Sequence, residues 1–210
     1  NYRPSWPYQA QITTTKSVKK ITNNPKQSVK LSKPETTPTI DVAKKDNPAK
    51  RTGQHKQDFI EKLLPQIKQE NSRLSNLRHR LINAISEIEN NQSDAKETKQ
   101  WIKKLSAKYR VKGDPLTDIK TRTELLAKVD TIPVSLALAQ AANESAWGQS
   151  RFAVEANNLY GIWTYDENKG LKPLNRDDGE KHLVRVFEHV GESVVYYMHT
   201  LNSHPAYVKL

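Results

Sequence analysis

The stretch AQAANESAWGQSRFAVEANNLYGIW, residues 139–163, decides the reading of this chain, and it turns on one residue. Glu144 follows fifteen residues, from Val129 on, that hold a single charge, Asp130. The segment from 133 to 147 is dense in Ala, Leu and Val, as expected for a helix surrounded by other helices. Pro133 suits its first turn and Gly148 its stop. Two readings compete for the lone carboxylate at its end. Either the helix end turns toward water, or an acid has been placed in a cleft.

Working outward, Asn157 and Asn158 with Gly161 form a loop leading into the short extended piece LYGIW. The stretch 164–180 is polar and turn-rich, and LVRVF (183–187) alternates like a strand, so a small β-hairpin is expected between about 159 and 187. Residues 190–202 return to helix, with Val194, Tyr197, Met198 and Leu201 on one face. Upstream, Phe59, Ile60, Leu63, Leu64 and Ile67 fall at helical spacing, and Pro65 predicts a kink or a break. Leu74, Leu77, Leu81, Ile85 and Ile88 mark a second amphipathic helix, closed by the turn NNQSD with Ser93 or Asp94 as candidate N-cap. Trp101, Ile102, Leu105 and Tyr109 mark a third, and Leu125, Leu126 and Val129 a short fourth. The pattern is that of a mostly α chain of the α+β class with a small β element.

Composition bounds the rest. At 210 residues with a mean hydropathy of −0.81, the chain is polar for one folded throughout. Residues 1–56 hold twelve Lys or Arg against three acids, a net of +9 out of the whole chain's +11. They are rich in Thr, Lys, Pro, Ser and Asn with no sustained period, so they read as a disordered basic tether. Its charge is either solvated or adheres to a polyanion: nucleic acid without sequence preference, an anionic wall polymer or a lipid surface. The helical extension is expected over 57–112 and the domain bearing Glu144 over 113–210. With no cysteine, neither a disulfide framework nor a thiolate metal site can form. No window reaches the length and apolarity of a membrane span. The chain starts at Asn1 and not at Met, which fits either a mature product whose export signal has been removed or a trimmed sequence.

The chemistry available around Glu144 is specific. A carboxyl short of hydration at the negative end of a helix dipole is disposed to keep its proton and deliver it to a leaving oxygen. Glycoside hydrolysis needs that service, because an alkoxide leaves poorly unless protonated. Trp147, Tyr160 and Trp163 offer flat surfaces for a sugar ring, and Asn143, Asn157 and Asn158 offer amide groups for hydroxyl and acetamido substituents. His182, His189, His199 and His204 match no metal-ligand spacing, so neither metal nor cofactor is expected. No GxSxG surrounds Ser145 or Ser150, which leaves a serine nucleophile unsupported.

The longer string AQAANESAWGQSRFA…NNLYGIW resembles the bacterial glucosaminidase family. This is glycoside hydrolase family 73, the mannosyl-glycoprotein endo-beta-N-acetylglucosaminidase-like group, and the closest match is its Bax-type subgroup of exported proteins. The resemblance covers about 57–210 and is sharpest in 129–163 and 183–207, where VFEHVGESVVYYMHTLNSHPAY continues it. Departures are Asn143 for an apolar residue, Ala146 for Gly, Tyr160 for Phe and Trp163 for Lys. It implies a lysozyme-like helical fold and an exported enzyme of the periplasm or cell envelope, cleaving β-1,4 bonds of peptidoglycan. It places Glu144 at the catalytic acid, Tyr197 at a cleft tyrosine and Asn157 and Asn158 at an Asn pair that lines or braces the cleft. A second carboxylate is expected on the β element, where Asp177, Asp178 and Glu180 stand; Glu180, nearest the strand, is the first choice. A substrate-assisted route needs none of them. A peptidoglycan-binding module of the same fold without catalysis is the alternative. The apolar, uncapped ending HPAYVKL predicts a domain truncated at its C-terminus.

Overall fold

The computed structural model describes residues 48–90, 96–174 and 179–207. Among these residues six α-helices run in chain order: α1 (Pro48–Glu89), α2 (Lys96–Lys108), α3 (Ile119–Lys128), α4 (Val134–Glu144), α5 (Arg151–Ala156) and α6 (Val190–Ser203). Between α5 and α6 lie three short strands, β1 (Trp163–Thr164), β2 (Gly170–Leu171) and β3 (Leu183–Arg185). The mostly helical α+β class read from the sequence is the one observed.

The first two helices expected from the sequence are one. α1 runs unbroken through Pro65 for 42 residues. Proline inside a helix removes one hydrogen bond and costs about 3 kcal/mol. Here the ring is exposed, so water can serve the freed carbonyl. Leu63 and Ile67 on either side are fully buried, and such side chains contribute about 1.5–3 kcal/mol each, which offsets the loss. The helix also begins at Pro48, so residues 48–56, assigned by composition to the tether, are its first turns. Contact holds them: His55 Nε2 lies 3.0 Å from the Trp147 carbonyl oxygen, and the Lys56 ammonium stands 4.9 Å from the Trp147 ring centre. The remainder of the tether and the candidate caps Ser93 and Asp94 lie outside the described residues.

α1 is the spine of two apolar clusters. Phe59, Leu63 and Ile67 pack with Ala137 and Ala141 of α4 and Val194 and Met198 of α6. Further along, Leu81 and Ile85 pack with Ile102 and Leu105 of α2 and Leu125 of α3. Side chains also grip the segment that launches α4. Asn71 donates to the Ile132 carbonyl at 2.8 Å and accepts from its N–H at 2.9 Å, and Asn202 of α6 donates to Asp130 O at 2.7 Å. The position of α4, and so of its last residue, is set by both neighbours.

The β element is a three-stranded antiparallel sheet in the order β1-β3-β2, one strand more than the expected hairpin. Trp163 pairs with Val184 and Leu171 also pairs with Val184 from the other side, so β3 is central. A glycine is required at 170: a Cβ there would lie 2.4 Å from the Leu183 Cβ.

Candidate active site

Glu144 is the last residue of α4 and is half-buried. The chain then makes a tight left-handed turn through Ala146, Trp147 and Gly148, with φ of 50°, 59° and 79°. Ser145 holds that turn from inside: its hydroxyl donates to Ala141 O at 2.6 Å and accepts from Gly148 N at 2.7 Å. Ser150 then caps α5 by accepting from Ala153 N at 3.2 Å.

Across from the carboxylate runs the loop 157–162. A Cβ at Gly161 would stand 3.6 Å from Glu144 Oε2, so bare backbone faces the acid there. With φ at 61°, Gly161 also adopts a left-handed conformation that other residues resist. The loop keeps this shape through Asn158, which is buried and fully hydrogen-bonded. Its Nδ2 donates to Ile162 O and Arg185 O, both at 2.8 Å, and its Oδ1 accepts from Tyr160 N at 3.3 Å and Ile162 N at 3.0 Å. Asn157 caps α5 in the left-handed region and donates to Phe187 O at 3.0 Å and Glu188 O at 3.1 Å. Of the two roles open to the Asn pair, the geometry gives Asn158 the brace, because no amide atom of its side chain is left for a ligand.

Tyr197, buried on α6, stacks on Tyr160 with ring centres 3.9 Å apart and planes 5° from parallel. Burial pushes the Tyr197 phenol well above the usual tyrosine range, and the nearby Tyr207 and the charge of Glu144 push it the same way. Burial, with Tyr197 beside it, does the same to Tyr160, whose hydroxyl makes no hydrogen bond. Both rings therefore keep their protons at any physiological pH. Tyr207 follows α6 in a 3-10 turn, Pro205–Tyr207, and burial raises its phenol also. Glu144, Gly161, Tyr160, Tyr197 and Tyr207 thus form one neighbourhood. Tyr160, expected to offer a flat surface to a sugar ring, is fully buried.

The glucosaminidase family, described as mannosyl-glycoprotein endo-beta-N-acetylglucosaminidase, matches residues 120–209. Those residues belong to the glucosaminidase family. The match takes in α4, the loop 157–162, the sheet and α6. The chain is also similar to Protein bax of Escherichia coli (strain K12), 32% identical over 153 residues, which are 72% of this chain and 52% of that protein. It spans about half the length of that relative. No solved structure matches significantly. The family is one of glycosidases, and a glycan is the class of substrate it implies.

Within the glucosaminidase domain Asn143 donates to Glu144 Oε1 at 3.5 Å, whereas Trp147 and Glu180 make their contacts elsewhere. The Trp147 ring meets Phe59 of α1 edge-on at 5.8 Å, so it packs on the spine helix. Glu180 is exposed, with Oε2 3.2 Å from His182 Nδ1, and the His182 ring lies flat on Trp163 at 4.0 Å. Asp177 and Asp178 lie outside the described residues. Among the described residues no group of three or more His, Cys, Asp or Glu is arranged to hold a metal ion, and no helix is long and apolar enough to cross a membrane. Sequence reasoning did not single out Gly161, Ser145 or Tyr207 for the site. Gly161 and Tyr207 lie in the quoted strings NNLYGIW and HPAY; Ser145 carries no signal that periodicity could register.

Proposed function

We propose that this chain acts as an endo-β-N-acetylglucosaminidase on peptidoglycan in the cell envelope, with Glu144 as general acid. The observation that supports this reading best is the setting of its carboxylate. It sits half-buried at a helix end, faces the bare backbone of Gly161, and has the permanently protonated phenol of Tyr197 for a neighbour. A glycosidic oxygen lying over Gly161 would be within reach of the acid. Protonation there turns the leaving alkoxide into an alcohol as the bond to the anomeric carbon breaks. Tyr197 positions substrate or holds the carboxylate, Asn157 and Asn158 brace the wall opposite, and Glu180, Asp177 or Asp178 supplies the second carboxylate unless the substrate's acetamido group attacks. The basic stretch before Pro48 tethers the domain to an anionic envelope polymer.

Glu144→Gln in the full-length protein tests the assignment, read as reducing ends released from purified walls. Loss of a general acid costs about 10²–10⁴-fold, and the variant should fall by that much with its melting temperature unchanged. Release at the wild-type rate overturns the role. A wild type that binds glycan but releases no reducing ends would instead establish the non-catalytic module.

A further inference from the structure

The tether is not the chain's only concentration of positive charge. Between residues 96 and 112 stand seven Lys or Arg and a single acid, Glu97. α2 buries Ile102 and Leu105 against α1 and turns its lysines outward. Lys96, Lys99 and Lys103 recur at i, i+3 and i+7, which puts them in one row along the helix. They line, with Gln100 and Leu116, a hollow of about 310 Å³ between α2 and the later part of the α2–α3 connection. A second hollow of about 290 Å³ continues it along the helix, sharing Lys103 and lined also by Ser106, Gly113 and Asp114. The Ser106 hydroxyl there is buried and makes no hydrogen bond. Lys103 is paired with Asp114 at 2.9 Å, whereas Lys96 and Lys99 have no acidic partner among the described residues. The two ammonium groups of Lys96 and Lys99 repel each other in the open trough unless an anion joins them.

We infer that this trough is a binding site for a linear phosphate polymer, which would lie along α2 with successive charges against Lys103, Lys99 and Lys96. The chemistry favours such a chain over the other polyanions. Nucleic-acid grooves add aromatic faces for bases to stack on; the one aromatic of α2, Trp101, is covered by the Arg80 guanidinium at 4.4 Å. A bilayer is flat, whereas both hollows are concave. Lysine supplies point charges that follow a backbone without reading its substituents. The site belongs to the folded helix and is separate from the tether, and it stands whether or not Glu144 is catalytic.

The test is binding of the full chain to fluorescently labelled inorganic polyphosphate across a salt series, beside an oligothymidylate of matched charge and vesicles of phosphatidylglycerol. Removing three contacts should flatten the slope of log affinity against log salt by about 2. The combined variant Lys96→Gln, Lys99→Gln, Lys103→Gln is therefore expected to lose at least tenfold in polyphosphate affinity. Lys16→Gln, Lys19→Gln, Lys20→Gln in the tether should lose far less. Folding of both triple variants is checked by melting curves, and Lys99→Gln alone, with about a threefold loss expected, serves if the trough variant melts early. Equal losses from both triple variants would reduce the trough to undirected charge and sink the proposal. So would a trough variant that loses oligothymidylate or vesicle binding as much as polyphosphate binding.

Discussion

At the scale of single residues, the site rests on backbone conformations that side chains tolerate poorly. Ala146 adopts φ 50°, where a Cβ crowds the following carbonyl at about 1–2 kcal/mol. Its family counterpart is usually glycine, and this chain carries the strain directly beside Glu144. Ala146→Gly should therefore raise stability by about 1 kcal/mol, read by urea denaturation, once glycine's greater unfolded-state freedom is subtracted. A destabilised variant would show that the Ala146 methyl makes contacts outweighing its strain. Gly161 is the opposite case. Gly161→Ala would force a left-handed φ on alanine and place a methyl 3.6 Å from Glu144 Oε2. If glycan passes over this backbone, hydrolysis should fall at least tenfold while stability drops by only about 1–2 kcal/mol; unchanged hydrolysis in a folded variant places the substrate elsewhere.

The elements show where sequence reasoning reached and where it stopped. α4 and α6 were legible because long apolar stretches and a 3.6-residue stripe survive any packing arrangement. α5 was missed because six residues cannot display a period, and its ends are defined by Ser150 and Asn157. Pro65 misled, since a proline signals a lost hydrogen bond but not the burial of Leu63 and Ile67 that outweighs it. Pro65→Ala should accordingly stabilise the protein by about 1–3 kcal/mol, seen as a higher melting temperature, with hydrolysis unaffected. The sheet was read as a hairpin because two-residue strands have no alternation to detect, and the central place of β3 depends on pairings distant in sequence. Glu144 was recognisable from its string, whereas the Tyr160–Tyr197 stack needed the fold to bring two elements together. Asn158 links these two kinds of information. Its type marked it for the site, yet three of its four hydrogen bonds hold the loop to itself and the fourth ties it to Arg185 of β3. Asn158→Ala would strand several buried backbone groups, each worth about 1–3 kcal/mol. Loss of stability should accompany any loss of hydrolysis in that variant, and a fully stable but inactive protein would return Asn158 to substrate contact.

Across the whole molecule, α1 joins two clusters that have no residue in common among those described, and the junction between them is polar. Glu70, buried on α1, takes both Arg73 donors at 2.7 and 2.6 Å. Beside them Tyr109, just past α2, meets the His199 ring of α6 edge-on at 5.0 Å. Burial lowers the His199 pKa, and the cationic Lys108, Arg110 and Arg73 lower it further against the opposing pull of Glu70. The folded state therefore resists a proton that the unfolded chain accepts near its ordinary pKa of about 6.5. Above that value neither state is protonated and His199 costs nothing. As pH falls below it, the unfolded chain binds the proton first, and stability declines until the folded pKa is passed. Melting temperature followed from pH 8 to pH 4 should thus drop more steeply for the wild type than for His199→Phe, which keeps an aromatic edge against Tyr109 but cannot titrate. The difference between the two curves isolates this group, because every other titration is common to both. Parallel curves would mean that His199 gains its proton as easily inside the fold as outside, and that the junction between the two clusters is open to water.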